Sequence, residues 1–121
     1  MAVRQRFREA GEKIAAAAEG AGRDPNSLEL GIQFWTSVKD DEASARDAVA
    51  GGMQSTYKLG FEKFERYTPF GNARRVADYI APYVEAGARH INLIPVQSSP
   101  DEVMERGAEV RAELRKLVAR T

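Results

Sequence analysis

Two stretches of the sequence end in residues that suit contact with a small ligand. The stretch LELGIQFWTSV carries Trp35 and Thr36 near its carboxyl end, and the stretch HINLIPV carries Pro95 and is followed at once by Gln97. An indole ring stacks on planar ligands, and hydroxyl and amide groups hydrogen-bond to them. The sequence therefore predicts ligand contacts at these four residues. The alternative for Trp35 is a contact in the core or between subunits.

A second candidate site is the aromatic segment of residues 61–70. Phe61, Phe64, Tyr67 and Phe70 follow one another at short intervals, the last two within YTPFG. Such rings either line a substrate pocket or form an interface between copies of the chain, because that much apolar surface is normally covered. We therefore add Tyr67 and Phe70 to the predicted ligand contacts.

Metal and phosphate chemistry receive little support from the sequence. His90 is the only histidine and the chain has no cysteine, so no metal site is predicted. A phosphate at the helix start after Ser99 is disfavoured, because Asp101 and Glu102 already occupy the first turn and repel anions. The helix start is therefore interpreted as simple capping.

Composition and motifs exclude several classes of protein. Lysine plus arginine equals aspartate plus glutamate at 18 each, which leaves no net attraction for nucleic acid or anionic lipid. No apolar stretch is long enough to cross a membrane, and no nucleotide-binding glycine loop, serine elbow or zinc motif occurs. The 121 residues predict a single α/β domain over residues 1–121. The lack of cysteine is consistent with the predicted location, the cytoplasm.

Hydrophobic periodicity predicts the elements that position these residues. We expect four principal helices, two strands and one short amphipathic turn at FEKFER. In chain order these are a helix over about residues 4–20, a strand over 28–38, a helix after Asp40 and Asp41, the short turn, a helix capped by Asn72, a strand over 90–96, and a helix that begins after Ser99.

Glycine and proline residues predict irregularities in two of the helices. Gly51 and Gly52 predict a kink or break in the second helix, since each glycine costs about 1 kcal/mol relative to alanine. Pro82 removes a backbone hydrogen bond and predicts a bend in the third helix. Gly87 is expected to end that helix in a left-handed conformation.

The order of elements predicts an α/β fold in which two parallel strands are joined by a right-handed crossover. Two parallel strands on their own leave backbone groups unpaired along their edges. We therefore expect the chain to form a homo-oligomer through exposed strand edges and the aromatic surface.

Two segments carry a resemblance to a known family. AGRDPNSLEL (residues 21–30) and YTPFGNARRVADYIAPYVEAGARHINLIPV (residues 67–96) resemble the luciferase-like monooxygenases. The resemblance implies an eight-stranded β/α barrel that uses flavin mononucleotide (FMN) or the deazaflavin F420. Residues 28–38 are similar to the seventh strand and residues 90–96 to the eighth, which implies a fragment of a (β/α)8 TIM-type barrel.

The same resemblance limits what the chain is expected to do. Most residues that hold the cofactor in this family belong to the six strands without a counterpart here, and no catalytic residue is carried over. The chain is thus expected to be part of a flavin- or F420-dependent oxidoreductase that is not catalytically complete alone. Two alternatives stay open: a non-catalytic homo-oligomeric α/β module, and a binder of small ligands between subunits, around Trp35 and Tyr67.

Overall fold

The computed structural model describes residues 3–118. Within that range it contains four α-helices, three 3₁₀ turns and three strands. In chain order they are α1 (Val3–Gly20), η1 (Pro25–Ser27), β1 (Leu30–Val38), α2 (Glu42–Tyr57), η2 (Phe61–Lys63), η3 (Glu65–Tyr67), β2 (Phe70–Gly71), α3 (Ala73–Glu85), β3 (Ala88–Pro95) and α4 (Pro100–Val118).

The three strands form one parallel sheet in the order β2-β1-β3. β1 and β3 pair along most of their length, from Leu30 opposite Ala88 to Thr36 opposite Pro95. β2 adds only two residue pairs at the carboxyl end of β1. Within the described residues, β1 is therefore the central strand and both of its neighbours are edge strands.

Helices cover both faces of this sheet. Successive residues of a strand point to opposite faces, and Phe34 packs with Ile80 of α3 and Val110 of α4. The next residue, Trp35, packs in a second cluster with Val49 of α2. The connection through α2 leads to one side of β1 and the connection through α3 to the other. Right-handed crossovers then place these two helices on opposite faces.

The predicted signals at the ends of α3 are confirmed. Asn72 caps the helix by accepting a hydrogen bond from the backbone N–H of Arg75 at 2.9 Å. Gly87 follows the helix with a φ of 116°, which a side chain disfavours. Pro82 lies inside the helix, which continues to Glu85. The predicted bend at Pro82 stays a prediction.

The predicted break in α2 does not occur. Asp41 caps the helix, which then runs without interruption through Gly51 and Gly52. A β-carbon at Gly52 would lie 2.9 Å from Cγ2 of Val96 and 3.5 Å from the Trp35 ring. Glycine at this position lets α2 approach the sheet closely, and tertiary packing outweighs the helix propensity on which the prediction rested.

The strands differ from the prediction in number and in length. β1 begins at Leu30 rather than at residue 28, and β3 spans Ala88–Pro95 rather than residues 90–96. The segment YTPFG, for which no strand was predicted, contains the third strand, β2. Two residues are too few to show an alternation, so periodicity does not detect β2. The α/β class with parallel strands and four principal helices is confirmed.

Candidate functional site

The face of the sheet on the α2 side carries a row of polar side chains. We call the part of this face that α2 leaves uncovered the open face, and define it by Gly31, Gln33, His90 and Asn92, all of them exposed. Gln33 lies opposite Asn92 and accepts a hydrogen bond from its amide nitrogen at 2.7 Å. His90 lies opposite Gly31 and its Nε2 contacts the carboxylate of Glu29. This face therefore offers hydrogen-bonding groups to a ligand.

Trp35 borders the open face and has well-defined partners. Its indole N–H donates to the Tyr57 hydroxyl at 3.0 Å, and the two rings meet edge to face with centroids 5.8 Å apart. Tyr57 in turn lies 5.3 Å from the ring of Phe64 and is 46% exposed. The half-buried indole is thus packed under α2, and Tyr57 is the ring of this group that a planar ligand can reach.

The hydroxyls of Thr36 and Ser37 are both buried but differ in their hydrogen bonding. Thr36 is 1% exposed and donates to the carbonyl of Pro69 at 2.9 Å, which ties β1 to the segment that precedes β2. Ser37 is 0% exposed and its hydroxyl has no partner among the described residues. Neither hydroxyl is accessible to a ligand in this conformation.

Tyr67 and Phe70 lie together in a surface groove of about 840 Å³. The groove runs between the η2–η3 segment and the outer side of α3. Its lining combines aromatic rings, three cations and three carboxylates: Glu62, Lys63, Glu65, Arg66, Tyr67, Thr68, Pro69, Phe70, Arg75, Asp78 and Tyr79. The structure thus brings together two of the six predicted contacts.

Most of the charges in this groove are already paired. Arg75 bonds to Glu42 at 3.0 Å and Glu65 bonds to Arg46 at 2.6 Å. Arg66 lies over the ring of Tyr67, 4.9 Å from its centroid, and donates to its hydroxyl at 2.8 Å. The groove is therefore suited to an aromatic ligand with at most a weak charge.

Tyr79 forms the inner wall of the groove. Burial, and then the neighbouring Tyr83, raise the pKa of Tyr79 above its ordinary value, so its hydroxyl stays protonated. That hydroxyl donates to the backbone carbonyl of Arg66 at 2.6 Å. Tyr79 thus fixes the segment that carries Tyr67 against α3.

Gln97 holds the carboxyl ends of β1 and β3 together. Its Oε1 accepts from the backbone N–H of Val38 at 2.6 Å, and its Nε2 donates to the carbonyl of Val38 at 3.1 Å. The same Nε2 donates to Glu102 at 2.7 Å. Pro95 is exposed at the end of β3, opposite Thr36. The amide of Gln97 is thus occupied by protein groups rather than available to a ligand.

The six predicted contacts do not form one cavity. Tyr67 and Phe70 share the groove, Phe70 and Trp35 pack on the same core cluster, and Gln97 lies apart beside Val38. The polar row of the open face was not predicted, although Gln33 precedes Trp35 by two residues and so lies on the same face of the strand. The signal for the rest was the spacing of His90 and Asn92, which stand two residues apart in the predicted strand HINLIPV.

Two kinds of feature are absent from the part of the chain that the structure describes. No group of three or more histidine, cysteine, aspartate or glutamate residues in it is placed to hold a metal ion. No helix among residues 3–118 is long and apolar enough to span a membrane.

Comparison with known proteins gives a likeness of fold. No family model matches the sequence, and no curated protein matches it. One similar solved structure is an F420-dependent secondary alcohol dehydrogenase in complex with an F420-acetone adduct, with a TM-score of 0.57 and 23% sequence identity. The match covers 81% of this chain and 36% of that chain. The chain thus spans about a third of that enzyme, and at this identity the likeness shows a shared fold.

Proposed function

We propose that this chain is the C-terminal α/β part of a luciferase-like oxidoreductase and supplies part of a binding site for F420 or FMN. In this proposal β1 and β3 are the last two strands of a β/α barrel, the open face points to the barrel interior, and the chain is not catalytically complete alone. The fold shared with an F420-dependent enzyme over 81% of this chain is the observation that carries the proposal.

The distribution of polar residues in the sheet supports this assignment. Ile32 and Phe34 of β1 and Leu93 of β3 all pack toward α3 and α4. The opposite side carries the hydrogen-bonded pair Gln33 and Asn92. Polar side chains on the face away from α3 and α4 are what a barrel interior that binds a cofactor requires, because ligand sites combine apolar walls with a few placed polar groups.

The six contacts predicted from the sequence enter the proposal at three places. Tyr67 and Phe70 line the groove, where an aromatic ligand fits against their rings. Trp35 lies at the border of the open face and contacts Tyr57. Its fluorescence therefore serves as the signal for a ligand on this face. Thr36, Pro95 and Gln97 support the ends of the strands.

Fluorescence titration tests the proposal, because Trp35 is the only tryptophan. We expect F420 or FMN to quench its emission in a saturable manner, with free tryptophan amide measured in parallel to correct for absorption by the cofactor. Replacing Gln33 by leucine removes one hydrogen-bonding group and is expected to weaken binding about fivefold. The matched control is Gln54→Leu, at an exposed position of α2.

Two results would contradict the proposal. One is a fluorescence signal that stays flat up to millimolar concentrations of both cofactors. The other is saturable quenching that Gln33→Leu and Gln54→Leu leave equally unchanged, since the ligand would then bind away from the open face.

A non-catalytic homo-oligomeric α/β module is the second candidate function. The observation that favours it is the edge strand β3, whose outer side has no partner strand among the described residues. Under this alternative the titrations are flat while the chain self-associates, so the two candidates give different results in the same preparation.

A further inference from the structure

The outer edge of β3 exposes backbone groups that can pair with another strand. The N–H of Val96 donates to the carbonyl of Thr36 at 2.8 Å, so this residue and every second residue before it are turned toward β1. Ile91 and Leu93 therefore turn their backbone N–H and C=O groups away from β1. No described strand lies on that side. An unpaired strand edge of this kind is a template for strand addition.

An apolar groove of about 510 Å³ runs beside this edge. It lies where the ends of α3 and α4 approach β3, and its lining is mostly aliphatic: Val84, Ala88, Arg89, Ile91, Leu114, Arg115 and Val118. Strand addition along β3 would cover this groove, because Ala88 and Ile91 belong to both the edge and the groove.

The outward surface of α4 lies next to this groove, since Arg115 belongs to both. Val110 points inward and is 2% exposed, whereas Met104 on the outward side is 75% exposed, the largest value among the exposed large apolar residues that the structure describes. A β-carbon at Gly107 would meet nothing within 4 Å, so a second helix can approach closely at this point. Helices that pack closely use small residues in this way.

Four exposed charges of α4 that form no ion pair among the described residues are segregated along the helix. Asp101 and Glu105 lie in the first half of α4, and Arg111 and Arg115 lie in the second half, all of them exposed. Among the ion pairs of the described residues, none involves these four side chains. An antiparallel copy of α4 would bring acidic residues of one helix to basic residues of the other.

The spacing of these charges suits a two-fold axis at Ala108. Asp101 precedes Ala108 by seven residues and Arg115 follows it by seven. An antiparallel pair of helices that cross at Ala108 therefore places Asp101 of each copy at the level of Arg115 of the other. The partner that fits the surface is thus a second copy of this chain, because a two-fold interface requires a surface complementary to itself.

We infer that β3 and α4 form the interface of a two-fold homodimer. β3 pairs antiparallel with its copy to give one continuous six-stranded sheet, and α4 packs antiparallel on its copy over the same face. A stable dimer buries roughly 1,200–2,000 Å² in total. A strand of 8 residues and a helix of 19 residues on each side provide surface of that order. The inference rests on the second candidate function, the homo-oligomeric module, because a barrel in which β3 is the last strand would pair the same edge of β3 with its first strand.

Light scattering coupled to gel filtration, over a range of concentrations, tests the dimer. Arg115→Asp places like charges together at both symmetry-related contacts and is expected to weaken dimerisation about tenfold. Asp101→Arg does the same from the other side. The double variant Asp101→Arg/Arg115→Asp restores both contacts with reversed polarity, and its dimer is expected to approach the wild-type affinity.

The matched control is Arg8→Asp, an equivalent charge change at an exposed position of α1. It is expected to leave dimerisation unchanged. Circular dichroism verifies that each variant keeps its helices. Amide hydrogen exchange tests the strand pairing separately: the N–H groups of Ile91 and Leu93 are expected to exchange slowly in the wild-type dimer and fast in the Arg115→Asp monomer.

Three outcomes overturn the inference. A wild-type chain that is monomeric at every concentration means that this surface serves another polypeptide or nothing. A dimer that neither single variant weakens uses a different surface. Failure of the double variant to recover what the folded single variants lose excludes the two-fold contact between Asp101 and Arg115.

Discussion

The two faces of the sheet differ in polarity and in how far helices cover them. The face toward α3 and α4 is apolar and closed: Phe34 is 5% exposed and makes edge-to-face contacts with Tyr79 and Tyr83, at centroid distances of 5.6 and 5.1 Å. The face toward α2 is covered only at its carboxyl end, and Gln33 and Asn92 beyond it are exposed. The same strands thus present a core on one side and a polar surface on the other.

Because of this difference, the two faces contribute unequally to the free energy of folding. Burial of apolar side chains is the main source of folding free energy, and the α3 side holds most of it. The open face contributes little to folding, and in the proposed function its polar groups contact the ligand. Substitutions on the two faces should therefore have different consequences.

The sharpest comparison is between the neighbouring residues Phe34 and Gln33. Phe34→Ala leaves a cavity in the main core and is expected to lower the free energy of unfolding by about 3–5 kcal/mol. Gln33→Ala removes an exposed side chain and is expected to change it by less than about 0.5 kcal/mol. Urea denaturation followed by circular dichroism measures both. Equal losses would show that the open face is part of the core after all.

The covered part of the α2 side is tested at the paired glycines. A β-carbon at Gly51 would have no neighbour within 4 Å, so Gly51→Ala is expected to stabilise the chain by about 1 kcal/mol through helix propensity. Gly52→Ala drives a methyl group against Val96 and is expected to be about 1–3 kcal/mol less stable than Gly51→Ala. Thermal melts of the two variants measure the difference. Identical melting temperatures would mean that α2 is not pressed onto the sheet at this point.

The smallest expected effects concern the two adjacent buried hydroxyls. Ser37→Ala removes a buried hydroxyl that has no partner among the described residues, and we expect it to raise the free energy of unfolding by about 1 kcal/mol. Thr36→Val leaves the carbonyl of Pro69 without its donor and is expected to lower it by about 1 kcal/mol. Chemical denaturation at constant pH resolves the opposite signs. A loss at Ser37 would point to a hydrogen bond that the structure does not contain.

Much of the fold was predictable because local signals agreed with tertiary packing. The alternation around Phe34 defined β1, Asn72 defined the start of α3, and Ser99 defined the start of α4 through its bond to the N–H of Glu102 at 3.2 Å. These signals act within a few residues, and no distant contact opposes them. Gly52 is the counter-example, because the sheet contact that keeps α2 continuous is made by residues far away in the sequence.

The candidate site was less predictable because it depends on pairing between distant segments. The contact of Trp35 with Tyr57 joins residues 22 apart, and that of Gln33 with Asn92 joins residues 59 apart. Neither separation leaves a trace in the local pattern. Tyr67 and Phe70 were found because they are close in sequence and their residue type alone marks an aromatic surface. The barrel, the oligomer and the cytoplasmic location stay predictions.

Gln97 has a consequence for the slow dynamics of the sheet. Its side-chain amide bonds to both the N–H and the C=O of Val38. The side chain thus replaces the backbone of a neighbouring strand at this position. Val38 should accordingly behave as an interior position of the sheet, although β1 ends there. Because the link is a side chain, a single rotamer change of Gln97 would free both of these backbone groups of Val38, while the end of β1 stays paired with Gly71 of β2.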